Sequence, residues 1–159
     1  MENIKNKYLV FVVDEESYAI PLAKVQEVIR YVPITSLHET STFLKGVINL
    51  RGKIIPIIDM RLKFDLAEQP YTDRTIFIIV EIVSSTDVYL VGLVVDNVKD
   101  VIEVEENKIE KIPEVGFKFK SKYLYGIIQL GEEMVMILNL DTILSSEEVG
   151  ELKEKVESV

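Results

Sequence analysis

The stretch GVINLRGKIIPIIDM, residues 46–60, has a gapless counterpart in GIIQLGEEMVMILNL, residues 126–140. Glycine, leucine and isoleucine recur at the same places, and nearly every other apolar position stays apolar. A second pair of stretches, AIPLAKVQEVI (19–29) and GLVVDNVKDVI (92–102), occurs in the same order in each half. Self-similarity of this kind indicates repeated structural units. The sequence therefore predicts an internal duplication.

Each half of the chain has the pattern of short strands separated by turns. Apolar, β-branched runs such as YLVFVV (8–13) and TIFIIVEIV (75–83) end at turn-forming residues, which is typical of hairpins. Units of about five short strands favour closed barrels, because closure removes exposed strand edges. We therefore predict an all-β fold of two five-stranded barrels, over residues 7–70 and 74–144. The sequence leaves open whether the N-terminal strand closes its own barrel or crosses to the other.

The chain ends in a predicted helix, residues 145–159, within a single domain that spans residues 1–159. Ser145 and Glu148 have the spacing of a capping box, in which each residue satisfies a backbone amide of the other. Val149, Leu152 and Val156 form a narrow apolar stripe at helical spacing. This stripe predicts that the helix packs back on the body of the protein.

Composition excludes several classes of function. The net charge of −9 lacks the basic face that nucleic acid demands, and it disfavours an anionic membrane surface. The absence of cysteine excludes disulfides and thiolate metal sites. No apolar stretch approaches the length of a transmembrane helix, and the N-terminal apolar run is too short for a secretory signal. We predict a cytoplasmic protein without direct membrane insertion.

The residues that catalysis needs are scarce. His38 is the only histidine, which leaves no material for a histidine metal site or a Ser-His-Asp triad. The segment LDTIL (140–144) lacks the glycine of an aspartic-protease turn, and residues 96–100 lack the ligand pattern of a calcium loop. We predict no enzyme activity and no cofactor, with a small carboxylate-dependent hydrolase as the least favoured alternative.

Three stretches together resemble the CheW family of bacterial chemotaxis adaptors: YLVFVVDEESYAIPLAKVQEVI (8–29), GVINLRGKIIPIIDMR (46–61) and VGLVVDNVKDVIEV (91–104). The similarity runs from about Lys7 to Ser146. The resemblance implies two SH3-like barrels without catalysis. It also implies two partners, the cytoplasmic tip of chemoreceptors and the regulatory domain of the histidine kinase CheA, and hence recruitment to membrane receptor arrays. The same scaffold in another receptor–kinase array, such as one governing surface motility, is the alternative.

The resemblance also implies partner-binding positions. Arg51 in NLRG is similar to the coupling arginine of the family, and Val25 and Glu27 are similar to receptor contacts. The resemblance also implies that receptor helices lie near the groove between the two barrels, and Val98, the repeat partner of Val25, is expected on the second barrel's side of this groove. Ile54 is similar to an apolar position that faces CheA. The competing interpretations are ordinary core for Val25, Val98 and Ile54, and a solvated surface for Glu27.

The repeat gives an independent reason to single out Arg51. The turn Leu50-Arg51-Gly52-Lys53 aligns with Leu130-Gly131-Glu132-Glu133, so the counterpart turn is acidic. This difference favours a role for Arg51 that the second half does not share. The alternative is structural, with Arg51 paired to Asp59 or Glu27 to hold its hairpin in register.

Overall fold

A computed structural model describes residues 4–37, 41–84, 87–112 and 123–157. His38 lies outside the described residues, as do residues 113–122 of the polar stretch 105–122, whose composition predicts a long loop. The first half contributes five strands: β1 Lys7–Val13, β2 Glu16–Pro21, β3 Val25–Arg30, β4 Leu44–Leu50 and β5 Lys53–Asp59. The second half contributes β6 Ile76–Ser84, β7 Asp87–Val95, β8 Asn97–Glu103, β9 Leu124–Leu130 and β10 Glu133–Leu138. Two helices, α1 Met60–Lys63 and α2 Ser146–Glu157, follow the last strand of each half.

The strands form two five-stranded sheets that exchange strands between the halves. Sheet I has the order β8-β1-β2-β10-β9, and sheet II has the order β3-β6-β7-β5-β4. Sheet I thus combines the first hairpin of the first half, β1–β2, with three strands of the second half. Sheet II combines the first hairpin of the second half, β6–β7, with three strands of the first half. The sheets therefore do not follow the contiguous ranges 7–70 and 74–144, because β2 pairs in parallel with β10, and β7 pairs in parallel with β5.

The all-β class and the two five-stranded units with a C-terminal helix are confirmed. Within the described ranges, hydrogen bonding leaves each sheet open between its first and last strands, so the barrels are not closed by a continuous ladder. The registers also confirm the repeat. Ala19 pairs with Ile137 in sheet I, and the aligned residues Gly92 and Ile57 pair in sheet II.

The repeated hairpins match in detail. Gly46 pairs with Ile57 and Gly126 with Ile137, and each of these pairs lies beside a bulge. The turns also match, since Leu50 pairs with Lys53 and Leu130 with Glu133. The predicted equivalence of Gly46 and Gly126 is therefore confirmed.

Three apolar clusters account for the long hydrophobic runs. One cluster belongs to sheet I alone, with core members Tyr8, Val10, Ala19, Val104, Ile128, Val135 and Ile137. Another belongs to sheet II alone, with core members Ile48, Ile55, Ile57, Phe77, Ile79 and Val94. The third, the shared core, draws residues from both sheets, among them Leu9, Phe11, Tyr18, Ile58, Ile78 and Leu93. Strands such as β1 and β6 are buried on both faces, which explains their unbroken apolar sequences.

Helix α2 packs on the shared core as its apolar stripe predicts. Leu152 is buried there, and Val149 and Val156 pack beside it. The capping box is formed, with the Ser145 amide donating to Glu148 and the Glu148 amide donating to the Ser145 hydroxyl. Glu148 also accepts hydrogen bonds from the buried ammonium of Lys63 at 2.9 and 3.0 Å. The pair fixes the C-terminal helix against α1.

Candidate partner-binding site

Arg51 lies at the tip of the β4–β5 hairpin. Arg51 has a φ of +51° and Gly52 a φ of +86°. Positive φ at both central residues is typical of the two-residue turns whose twist matches the flanking strands. The Asn49 side chain accepts a hydrogen bond from the Gly52 amide at 2.9 Å and closes the turn. A left-handed backbone conformation costs a residue with a Cβ roughly 1–2 kcal/mol, so the turn is strained at Arg51. The arginine side chain is 66% exposed.

The guanidinium of Arg51 binds Glu27. Its Nη2 donates to both carboxylate oxygens of Glu27 at 2.6 and 2.7 Å. Glu27 is on β3 and Arg51 follows β4, and these strands are at opposite ends of sheet II. The ion pair therefore links the two ends of the sheet. Of the two structural partners considered for Arg51, Glu27 is the one it contacts.

Asp59 is engaged elsewhere and is almost fully buried. Its side chain accepts hydrogen bonds from the amides of Arg61 and Leu62 and so caps α1. The Tyr71 hydroxyl donates to the same carboxylate at 2.5 Å. Asp59 is 1% exposed, which suits a structural role.

Sheet I also has an ion pair between its β9–β10 hairpin and its end strand β8, which correspond to the β4–β5 hairpin and β3 of sheet II. The charges are reversed, because the acidic residue is on the hairpin and the basic residue is on the end strand. Glu133, at the start of β10, accepts a hydrogen bond from Lys99 on β8 at 2.6 Å and another from the Ser17 hydroxyl. The hydrogen bonds from Lys99 and from Ser17 lower the pKa of Glu133. An acidic counterpart turn therefore does not by itself set Arg51 apart, because hairpin and strand are linked by opposite charges in both sheets.

Val25 and Val98 occupy equivalent positions, at the first residue of β3 and the second residue of β8. Both are half-buried and pack against the shared core. Three residues further on, Val28 and Val101 are each 44% exposed. The same apolar pattern thus recurs on an end strand of each sheet, with one valine against the core and one in solvent.

Ile54 is half-buried on β5 and pairs with Asn49. It belongs to none of the three apolar clusters, whereas its neighbour Ile55 is in the cluster of sheet II. Its repeat partner is Met134, which pairs with Gln129 and is 49% exposed. Both hairpins therefore carry an apolar side chain on the outer face, next to the turn.

Sequence reasoning missed an electrostatic cluster that joins the two sheets. Arg61 donates through Nε and Nη2 to Asp96 at 2.9 and 2.6 Å, and its Nη1 lies 3.5 Å from Asp14. Asp96 also accepts a hydrogen bond from the Asp14 amide at 2.8 Å. The hydrogen bond to Asp96 is the main cause of a raised pKa of Arg61. The aspartates looked like solvated turn residues, and only their convergence on Arg61 shows their role.

In the described ranges, no three histidine, aspartate or glutamate side chains converge as ligands for a metal ion. None of the helices in the described part of the chain has the length and hydrophobicity that would let it cross a bilayer.

The chain is an all-β protein of two interlocked five-stranded sheets, with an exposed arginine turn and outward-facing apolar residues. Comparison with known proteins gives the family. The CheW-like domain family matches residues 7–148. The chemotaxis protein CheW of Klebsiella aerogenes is 37% identical over 94% of this chain and 87% of its own length. The CheW protein of Bacillus subtilis is 33% identical over 89% and 88%.

A solved structure agrees with these relatives. The scaffolding protein TtCheW of Thermoanaerobacter tengcongensis superposes with a TM-score of 0.80 at 35% identity and covers 92% of both chains. The chain belongs to the CheW family. The similarity also extends to a protein named FrzA from Myxococcus xanthus, which is 26% identical over 89% of this chain and 87% of its own length.

Proposed function

We propose that this protein is a non-enzymatic adaptor that couples chemoreceptors to the histidine kinase CheA. The observation that carries the proposal is the similarity of nearly the whole chain to chemotaxis proteins, among them the scaffolding protein TtCheW. In this proposal the protein works in the cytoplasm and reaches membrane receptor arrays through its partners. It needs no cofactor, because its activity is binding.

Arg51 is assigned the coupling role. An exposed ion pair such as Arg51–Glu27 contributes only about 0–1 kcal/mol, so a carboxylate on a partner can replace Glu27 at little cost. The guanidinium stays charged at any physiological pH and presents its donors in a planar fork that suits a carboxylate. The tip of the hairpin gives a partner close access, since the side chain is 66% exposed. Glu27 then keeps Arg51 oriented until the partner arrives.

The remaining positions are divided between the two partners. Val25 and Val98 are assigned to the receptor, beside the exposed Val28 and Val101 on the same strands. Ile54 is assigned to CheA, because an outward apolar residue that is absent from the core clusters suits the centre of an interface.

A second candidate is the same scaffold in another receptor–kinase array. The observation that favours it is the similarity to FrzA, a relative that does not carry the chemotaxis name. Binding assays with the receptors and kinases encoded by the same organism separate the two candidates, since an adaptor binds its own array.

The test is a reconstituted assay of CheA autophosphorylation with receptor, with and without this protein. We expect receptor-dependent activation only when the protein is present. Arg51→Gly is the most informative variant, because it removes the side chain while glycine adopts the positive φ of the turn without strain. We expect it to bind CheA nearly normally and to lose receptor-dependent activation, and Arg51→Lys to restore activation only in part.

The matched control is Arg74→Ala, which removes an exposed arginine from a different surface. Normal activation by Arg51→Gly would refute the coupling role of Arg51. A failure of the wild-type protein to bind either CheA or receptor would refute the adaptor function itself.

A further inference from the structure

The connecting segment, residues 65–74, packs on sheet II beside Asp59, the last residue of β5. Two side-chain contacts hold it there. The Tyr71 hydroxyl donates to Asp59 at 2.5 Å, and the Lys45 ammonium contacts Glu68 at 2.5 Å. The Tyr71 ring packs against the apolar cluster of sheet II, 6.1 Å from the ring of Tyr31. Burial, together with the hydrogen bond to Asp59, raises the pKa of Tyr71, so its phenol stays a proton donor.

The repeat places Asn139 where sheet II has Asp59. The Asp59 amide donates to the carbonyl of Phe43 at 2.8 Å, and the Asn139 amide donates to that of the aligned Tyr123 at 2.9 Å. Each side chain caps the turn that follows, with Asp59 accepting from the Arg61 amide at 2.9 Å and Asn139 from the Asp141 amide at 3.1 Å. The two residues are therefore equivalent in structure as well as in sequence.

Tyr125 is likewise the counterpart of Lys45. Each is the extra residue of a bulge, which falls between Leu44 and Gly46 in one hairpin and between Leu124 and Gly126 in the other. The two contacts that hold the connecting segment on sheet II thus correspond to Asn139 and Tyr125 on sheet I.

Asn139 and Tyr125 line one cavity of about 240 Å³, together with Tyr8, Pro21, Lys24 and Asp141. As far as Glu157, where the described residues end, the chain after β10 does not cover this cavity as the connecting segment covers sheet II. It continues into α2, which packs on Lys63 instead. Among the residues that the structure describes, sheet I therefore leaves open the kind of site that sheet II fills with its own chain.

We propose that this cavity binds an extended segment of a partner protein in which a proline precedes a tyrosine. The first reason is the occupant of the equivalent site, since sheet II binds Gln69-Pro70-Tyr71-Thr72 of its own chain. The second is the lining, because two tyrosines and a proline form the kind of wall on which proline-rich, extended segments pack. The third is size, since the cavity is small for a drug-sized ligand and suits a single aromatic side chain.

The differences between the two sites define the partner further. In sheet II, Asp59 Oδ2 accepts the hydrogen bond from the Tyr71 hydroxyl. Asn139 uses its Oδ1 to cap the turn, so the atom at the position of Asp59 Oδ2 is the Nδ2 donor. A tyrosine hydroxyl fits both, since it can accept as well as donate. Tyr125 donates to Glu106, so the position of Lys45 now carries an aromatic ring next to a carboxylate. A neutral or basic residue is therefore preferred where the connecting segment has Glu68.

The test uses a synthetic peptide with the sequence of residues 66–74 in which Glu68 is replaced by glutamine. The peptide is titrated into the full-length, isotope-labelled protein, and amide shifts are followed by NMR. We expect saturable shifts around Tyr8, Tyr125 and Asn139, and no binding by the same peptide with Tyr71→Ala. Losing one buried hydrogen bond or aromatic contact weakens binding by roughly tenfold, which is the effect expected of Asn139→Leu and of Tyr125→Ala.

Met134→Ala is the control, because it removes an exposed side chain of sheet I that does not line the cavity and should leave peptide affinity unchanged. Tyr125 is 49% exposed, so its truncation tests the site even if Asn139→Leu does not fold. Shifts that map to Asp59 and Lys45, or an affinity that Tyr125→Ala does not change, would overturn the proposal. Concentration-dependent shifts at Tyr125 without peptide would overturn it in favour of a second copy of this chain. These outcomes are independent of kinase coupling, and so of the adaptor function.

Discussion

Sheets I and II have the same registers and bulges, yet they differ at the surface. Their hairpin glycines, parallel pairings and apolar faces coincide residue by residue. Their turns differ, with Arg51 in one and Gly131 in the other. Tyr71 covers Asp59 in sheet II, whereas no described residue covers the cavity beside Asn139 in this way in sheet I. The shared positions are those that folding requires. The positions that differ are the ones to which we assign partner binding.

The largest expected effect concerns the two hairpin glycines. Gly46 has a φ of +147°, and a Cβ added there would lie 2.1 Å from the carbonyl oxygen of Thr35. At Gly126 the nearest atom is a methyl carbon of Ile109 at 2.5 Å. We expect Gly46→Ala to lower the free energy of unfolding by about 3 kcal/mol or more, and Gly126→Ala by about 1–2 kcal/mol. Urea denaturation measures both, and equal losses would show that the glycines are constrained alike.

The next effect separates the outward apolar residues of the two hairpins. We expect Ile54→Glu to weaken binding to the CheA regulatory domain roughly 30-fold, because a charge without a partner in a dry interface costs about 2 kcal/mol. Met134→Glu is the matched control at the equivalent position of sheet I. Pulldown and melting of both variants decide the outcome. If Ile54→Glu unfolds while Met134→Glu does not, Ile54 is a core residue.

A smaller effect concerns the C-terminal helix, which follows the second half only. Burial raises the pKa of Glu148, but hydrogen bonds from Ser145 and Lys63 outweigh it and leave the pKa below its ordinary value of 4.5. A lowered folded-state pKa stabilises the protein above the unfolded-state pKa, and this stabilisation is lost as pH falls through the folded-state pKa. We therefore expect the advantage of wild type over Glu148→Gln in melting temperature to shrink as the solution is acidified. An advantage that does not vary with pH would show that Lys63 does not stabilise the ionised carboxylate.

The smallest expected effect is on stability at the Arg51 turn. Arg51→Ala removes an exposed ion pair and keeps the strained φ, whereas Arg51→Gly removes the pair and relieves the strain. We expect both variants to lie within about 1 kcal/mol of wild type, with the glycine variant the more stable. Thermal melts of the two proteins measure the difference. A large loss in both would mean that the Arg51–Glu27 pair holds sheet II together.

The sequence predicts much of the fold, because the signals for strands and turns are local. Apolar runs, their turn residues and the repeat give ten strands in two groups of five, and the capping box gives the C-terminal helix. Arg61 shows where this reasoning ends. Its partners Asp14 and Asp96 are distant in sequence, and each alone has the pattern of a solvated turn residue.

For the candidate site, sequence supplied the residues and structure supplied their relations. The sequence left Asp59 and Glu27 as possible structural partners of Arg51, and the structure pairs it with Glu27. Tyr125 and Asn139 carried no sequence signal of a site, since an aromatic in a strand and an asparagine after one are common. The repeat was the available signal, because it aligns them with Lys45 and Asp59.

The sequence by itself determined the hairpins and the duplication, since hairpins depend on turns and apolar runs within a few residues and a duplication is visible as repeated sequence. The tertiary structure alone decided which hairpin joins which sheet. A hairpin such as β1–β2 has edges that suit the strands of either half, and nothing local distinguishes β5 from β10 as its neighbour. The pairing of hairpins with sheets depends on burying both faces of β1 and of β6. One face of each strand packs in the apolar cluster of its own sheet, and the opposite face packs in the shared core. Exchange of hairpins between the halves satisfies both requirements, because it places each half in contact with both sheets.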